Sequence, residues 1–308
     1  MQLLIPFAFA NDPGCAQALA TLQLPVLEAL LAQLTLSRTD TLSPHTLTPP
    51  HEYALAQAVG VSGADGQLPW AALDAARQGR DPGTTGWAWV TPAHWQIGTD
   101  QIQMTDPAAL QLPSDDSQLL LQAMAPYFAQ DGIELLFDTP GRWLARGEPL
   151  ATLATASLDR VIGTNLGPWM PATPAMRRLQ NEMQMLLYTH AVNDARAARG
   201  LQPVNSFWIS GSGVLPPNTP LTPEPRIADA LRPAAVRADW AAWAAAWTQI
   251  DQGDCQAFAA ALASGDTCEL VLCSDSKALH FTAAKLGWRE RLQRRFKRPS
   301  LKDFTGPS

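Results

Sequence analysis

The side chains with the greatest chemical reach in this sequence are few and scattered. Five histidines occur in 308 residues, at His45, His51, His94, His190 and His280. None sits beside an acid as Asp-His, and none shows the H-x-H or H-x-x-x-H spacing that brings two imidazoles onto one metal. Arginines offer more. Arg196 and Arg199 fall one turn apart near a helix end, where two guanidinium groups can grip one carboxylate or phosphate. The same cations would also stabilise a helix C-terminus, so the spacing supports both roles. Arg177 and Arg178 are further anion-binding candidates. Downstream, Gly211-Ser212-Gly213 can present backbone amides to an anion, or serve only as a turn. Asn205, Gly211 and Gly213 complete the ligand-binding set with the two arginines. His94, between Trp89 and Trp95, suits a pocket wall or simple strand packing.

The elements that must position these groups alternate between strand and helix. Residues 2–9 read as a buried strand, followed by a turn at Asn11-Asp12-Pro13-Gly14. Leu27, Leu30, Leu31 and Leu34 recur at helical spacing and predict a helix from Leu24 to Leu36. A loop over 37–50 leads to a helix over His51 to Val59, which Gly60 ends. Gly86 to Met104 is strand-rich. Ser114 caps a helix through Gln130, and Ile133–Phe137 with Arg142–Ala145 reads as a hairpin. One helix spans Pro174 to Arg199 with Met176, Leu179, Met183, Leu186, Leu187 and His190 on one stripe, which makes His190 a hydrogen-bonded core residue. A strand over Asn205 to Ser210 then enters the glycine turn. Trp240, Trp243 and Trp247 form a core stripe on a later helix. Glu269 to Cys273 is the last strand. This alternation predicts an α/β fold with a largely parallel sheet flanked by helices. It is organised as one domain over 1–288, with a candidate inserted subdomain at about 174–225.

Composition narrows the function classes. The chain is 46% hydrophobic and 16% charged, with 11 tryptophans, so a large core is affordable. Cys15, Cys255, Cys268 and Cys273 form no C-x-x-C pair and read as buried free thiols in a reducing cytoplasm. No Lys or Arg precedes Arg38, so the apolar start lacks the charged region of an export signal. No stretch approaches the roughly 18 apolar residues of a membrane span. The net charge is −6, but the segment 289–308 carries seven basic and two acidic residues, leaving −11 for residues 1–288. An acidic body argues against nucleic acid as a partner. A protein partner or a small acidic ligand is compatible with it.

Several segments resemble a known family. The stretch from Thr189 to Gly213 is similar to a segment of the archaeal-type cofactor-independent phosphoglycerate mutases. The opening Leu3-Leu4-Ile5-Pro6-Phe7, Pro49-Pro50-His51-Glu52, Leu68-Pro69-Trp70, Trp89-Val90-Thr91-Pro92-Ala93-His94-Trp95, Ser157-Leu158-Asp159-Arg160-Val161 and Arg178-Leu179-Gln180-Asn181-Glu182 resemble the bacterial phosphoglycerate-mutase-related family, which includes the RpfE-type regulatory proteins. The resemblance implies an alkaline-phosphatase-like fold. It also implies a site in which Asp and His hold two divalent ions, manganese or zinc, that activate a serine. On this chain Asp12 and Asp275 stand where the family's metal acids would sit, with His280 as the candidate third ligand and Ser62 as the best placed nucleophile; Asp12 and Asp275 equally suit turn or cap positions, and Ser62 a turn. The chain departs from the pattern where Asp275 is followed by Ser276 instead of histidine. That departure, and the scarcity of imidazoles, predicts a non-catalytic regulatory or ligand-binding member without a metal cofactor. The competing expectation is a metal-dependent phosphomutase or phosphatase acting on a small phosphorylated metabolite.

Overall fold

The computed structural model describes residues 1–99, 101–283 and 299–304. The basic tail called at 289–308 therefore lies outside the described residues except for 299–304. The chain divides into two compact units where the sequence suggested one domain with an insertion at about 174–225. The first comprises residues 1–45, 49–59 and the described residues from 223 onward; the second comprises Thr46–Thr48 and Gly60–Thr222. Elements are numbered along the whole chain.

In the first unit lie β1 (Gln2–Ile5), α1 (Pro13–Thr21), α2 (Pro25–Gln33), β2 (Leu34–Thr41) and α3 (Pro50–Val59). Its second stretch adds β9 (Arg226–Ile227), α9 (Arg232–Ala235), α10 (Trp240–Ile250), α11 (Gln256–Ala263), β10 (Glu269–Cys273) and β11 (Lys277–Ala283). The sheet order is β2-β11-β10-β1-β9. β1 runs parallel to β10 and β9, but β11 is antiparallel to both β10 and β2. The sheet is thus mixed, not largely parallel as expected. The short turn after β10 returns the chain at once, and a two-to-four-residue connection can only make an antiparallel neighbour.

β1 is buried on both faces, which explains its unbroken apolar run. Leu3 and Ile5 point into a core with Leu270, Leu272, Leu279 and Phe281 under the helices. Leu4 points the other way, toward Val271, Ala278 and Ala54 of α3. Two sequence expectations change here. The turn at 11–14 is the start of α1, because Asp12 is its cap and Pro13 its first residue. Helix α2 stops at Gln33, and Leu34–Thr41 is a strand. Leu34 fits the helical stripe, but Thr35, Thr39 and Thr41 favour a pleated chain once β11 is beside them.

The second unit holds α4 (Trp70–Arg77), β3 (Trp87–Ala93), β4 (Trp95–Ile97), β5 (Ile102–Met104), α5 (Ser114–Gln130), β6 (Glu134–Thr139), β7 (Arg142–Arg146), α6 (Leu158–Val161), α7 (Pro174–Tyr188), α8 (Ala191–Ala198) and β8 (Ser206–Gly213). Its four-stranded sheet, β6-β7-β3-β8, is antiparallel throughout. Ala88, Val90, Trp143, Phe207 and Ile209 of that sheet pack on α5 and α7. The helix expected over 174–199 is broken at Thr189. His190 is the N-cap of α8, with extended backbone, and its Nδ1 accepts from the Val192 N–H at 3.3 Å. It is a cap and not a core-stripe residue. Among the described residues no single helix is long and apolar enough to cross a membrane. All four cysteines are buried and free.

Candidate functional site

In the first unit, the loops at the carboxyl ends of β1 and β10 gather the most chemically capable groups, as expected where parallel strands of an α/β sheet end. The chain leaves β1 through Phe7, whose φ of 56° places a bulky residue in the left-handed region. That conformation costs about 1–2 kcal/mol and must be held by its surroundings. Three hydrogen bonds hold it. The Ala8 N–H donates to the Cys273 carbonyl at 2.7 Å. The indole N–H groups of Trp243 and Trp247 donate to the carbonyls of Phe7 and Ala8, at 2.8 and 3.1 Å. The Phe7 ring also lies against His51, centroids 5.3 Å apart.

Asp12 follows and caps α1, its Oδ1 accepting from the N–H groups of Gly14 at 2.7 Å and Cys15 at 3.1 Å. A Cβ on Gly14 would stand 2.4 Å from Trp240 Cδ1. Trp243 and Trp247 thus touch the loop and Trp240 the first turn of α1, so the stripe both fills the core and shapes the strand end. The Cys15 thiol beneath is pushed up to about 11, first by burial. The Ala10 backbone hydrogen bond opposes that rise, and the carboxylates of Asp12 and Asp275 add to it. Two acids from the loops after adjacent parallel strands thus share a neighbour. Cys15 itself stays protonated near neutral pH and is no nucleophile there. The residue pattern alone assigns Phe7, Cys15 and His51 no role at this strand end.

His280 is not part of this strand end. It pairs across the sheet with Val271, in the middle of β10. Its Nδ1 lies 2.9 Å from Glu269 Oε1 and its Nε2 3.1 Å from Asp40 Oδ2, with Arg38 Nη2 at 2.9 Å from Nε2. Both ring nitrogens are thereby engaged. Asp12 Oδ1 already accepts two N–H groups, and among the described residues no three His, Cys, Asp or Glu side chains are placed to share a cation. The donor set does not fit a pair of divalent ions.

The remaining nominated residues lie in the second unit. Ser62 is exposed in a loop. Nearby Asp65 accepts the N–H groups of Leu47 and Thr48 at 2.9 Å each. Arg196 and Arg199 are not brought to a common ligand. Arg196 is fully buried, donating to the carbonyls of Gln202 at 2.8 Å and Leu110 at 2.6 Å. Burial lowers its guanidinium below the ordinary value, with Asp116 opposing. Arg199 pairs with Asp116 at 3.2 Å. Asn205 clasps the backbone of Trp95, accepting from its N–H at 2.7 Å and donating to its carbonyl at 2.9 Å. Gly211 and Gly213 are not a free turn but the end of β8, where the register with β3 shifts between Trp87 and Trp89. Gly211 has φ of 62°, as a bulge at this crowding requires. The Ser212 hydroxyl between them donates to the Leu153 carbonyl at 2.5 Å.

No protein-family model and no curated protein matches the chain. Among solved structures it is similar to the cofactor-independent phosphoglycerate mutase of Thermoplasma acidophilum, with 13% identity and a TM-score of 0.37 over 93% of this chain and 90% of that one. It is also similar to the PH0037 protein of Pyrococcus horikoshii, with 11% identity and a TM-score of 0.44 over 95% and 91% of the two chains.

Proposed function

We infer that the chain is a phosphoglycerate-mutase-related, alkaline-phosphatase-like protein that acts without two-metal catalysis, as a regulatory or ligand-binding member. One observation carries this reading: two of the three side chains nominated for the metals, Asp12 and His280, have other work. Asp12 closes the first turn of α1, and His280 is held between Glu269 and Asp40. Releasing His280 to bind a metal would break its contacts with both carboxylates and with Arg38. A small phosphorylated or acidic ligand remains the expected class. Its contacts would differ from the nominated set, since Arg196 and Asn205 are committed to backbone groups.

The test is direct. The full chain, purified in the presence of manganese and of zinc, should retain no stoichiometric metal by elemental analysis. It should not turn over 3-phosphoglycerate or a generic aryl phosphate. Two ions per chain with turnover that Asp275→Ala abolishes would overturn the reading. The second reading, a metal-dependent phosphomutase or phosphatase, is favoured by one feature: Asp12 and Asp275 both act on Cys15 from the ends of neighbouring parallel strands.

A further inference from the structure

Among the described residues, strand β2 is an outer strand of the first unit's sheet, paired on the side of β11 alone. Residues Leu36 to Thr39 along it are exposed. An open edge of this kind invites a further strand unless charges, bulges or a cover prevent it. Here the charges are ordered in a particular way. Arg38, Thr39 and Asp40 read positive, neutral, negative. When that triplet is reversed and laid antiparallel on itself, Arg38 stands opposite Asp40, Thr39 opposite Thr39, and Asp40 opposite Arg38.

The backbone agrees with that register. The Leu42 N–H donates to Ser276 on the β11 side at 2.8 Å. In an antiparallel strand the N–H and C=O of one residue point the same way and alternate along the chain. Asp40 therefore faces β11, and the N–H and C=O of Thr39 and Thr41 face outward. A twofold axis beside Thr39 would let its N–H and C=O bond those of a second Thr39. Other registers are selected against. Sliding by two residues sets Arg38 on Arg38 or Asp40 on Asp40, and sliding by one removes both charge pairs and swaps the faces. A parallel in-register pairing would stack like charges. The bulge between His280 and Phe281 leaves Ser37 as the extra residue, its hydroxyl donating to the His280 carbonyl at 3.0 Å, and so ends the regular edge there.

We propose that β2 is a homodimerisation edge, joining two copies of this chain antiparallel about Thr39 into one continuous sheet. Arg38 already contacts Asp40 of its own strand at 3.0 Å. In the dimer the four charges alternate in sign around a square on one face of the joined sheets. The paired segment is short, so the dimer is weak, with dissociation on the order of micromolar or above, as befits a small interface.

Sedimentation of the full chain over a concentration series tests the assignment. The wild type should pass from monomer to dimer as concentration rises. Arg38→Asp or Asp40→Arg alone turns both attractive pairs repulsive and should weaken dimerisation roughly tenfold or more. Mixing these two single variants should restore association as a heterodimer, and the double variant R38D/D40R should again dimerise with itself. Because Arg38 and Asp40 also touch His280, Thr39→Pro provides an independent arm: it removes an outward N–H, leaves the β11 ladder intact, and should give a monomer with unchanged circular dichroism. A wild type that stays monomeric up to hundreds of micromolar overturns the proposal. So does a dimer that survives both Thr39→Pro and Arg38→Asp, or single variants that fail to associate when mixed.

Discussion

Asp251 is 2% exposed and belongs to a π-helical turn, Asp251–Cys255, set between α10 and α11. Its carboxylate accepts the N–H of Leu27 at 2.7 Å and of Val26 at 3.2 Å, at the start of α2. That helix has no cap of its own, because Leu24 stands at the N-cap position. The wider turn re-aims one side chain, and here the side chain it aims closes a helix 224 residues away in sequence. Asp251→Ala should leave two N–H groups without acceptors at the positive end of a helix dipole. A hydrogen bond to a charged group contributes about 1.5–3 kcal/mol, and losing a cap costs about 0.5–2 kcal/mol. These describe overlapping effects, so the expected loss is about 3 kcal/mol. Asp251→Asn keeps one carbonyl for Leu27 and should lose about 1–1.5 kcal/mol. Urea unfolding followed by hydrogen exchange of the Trp243 and Trp247 indole N–H groups reads this unit, since both are buried in its core. Losses below about 0.5 kcal/mol for the alanine variant, or an asparagine variant worse than alanine, would refute the capping role.

Two further outcomes follow from the same packing. Gly211→Ala should destabilise by at least about 2 kcal/mol, from the left-handed φ of 62° and a Cβ placed 2.8 Å from Trp89 Cε3; an unchanged melting temperature would mean the bulge is not needed. Burial first, then nearby carboxylates, raise the Cys15 and Cys255 thiols from 9.0 to about 11 and about 12. The unfolded chain ionises these thiols at lower pH than the folded one. Their contribution is therefore complete below pH 9 and is lost as pH rises through about 11–12. A Cys15→Ala/Cys255→Ala variant should show a flatter fall in stability over that range, and an identical alkaline limb would contradict this.

Asp12 and Asp275 each follow one of two paired parallel strands, and both carboxylates add to the rise of the Cys15 thiol. His280 does not join them, since the strand that carries it turns back antiparallel and places it opposite Val271. The pairing of Arg196 with Arg199 rested on a real one-turn spacing, yet α8 turns Arg196 inward. Its stem then crosses buried space, and the carbonyls of Gln202 and Leu110 are the acceptors it finds.

Local order was legible from residues alone wherever the signal is periodic or short-range. The apolar runs of β1 and β10, the helix α5, the hairpin β6–β7 and the α10 tryptophan stripe all declare themselves within a few turns of chain. Strand direction, the switch from α2 to β2 at Leu34 and the break at His190 did not, because each depends on which neighbour arrives. Polar side chains were the least legible of all. A buried polar group must find its partner wherever the fold supplies one, and His280 meets Asp40 across 240 residues. Periodicity is written locally, whereas hydrogen-bond satisfaction is settled only when distant segments pack.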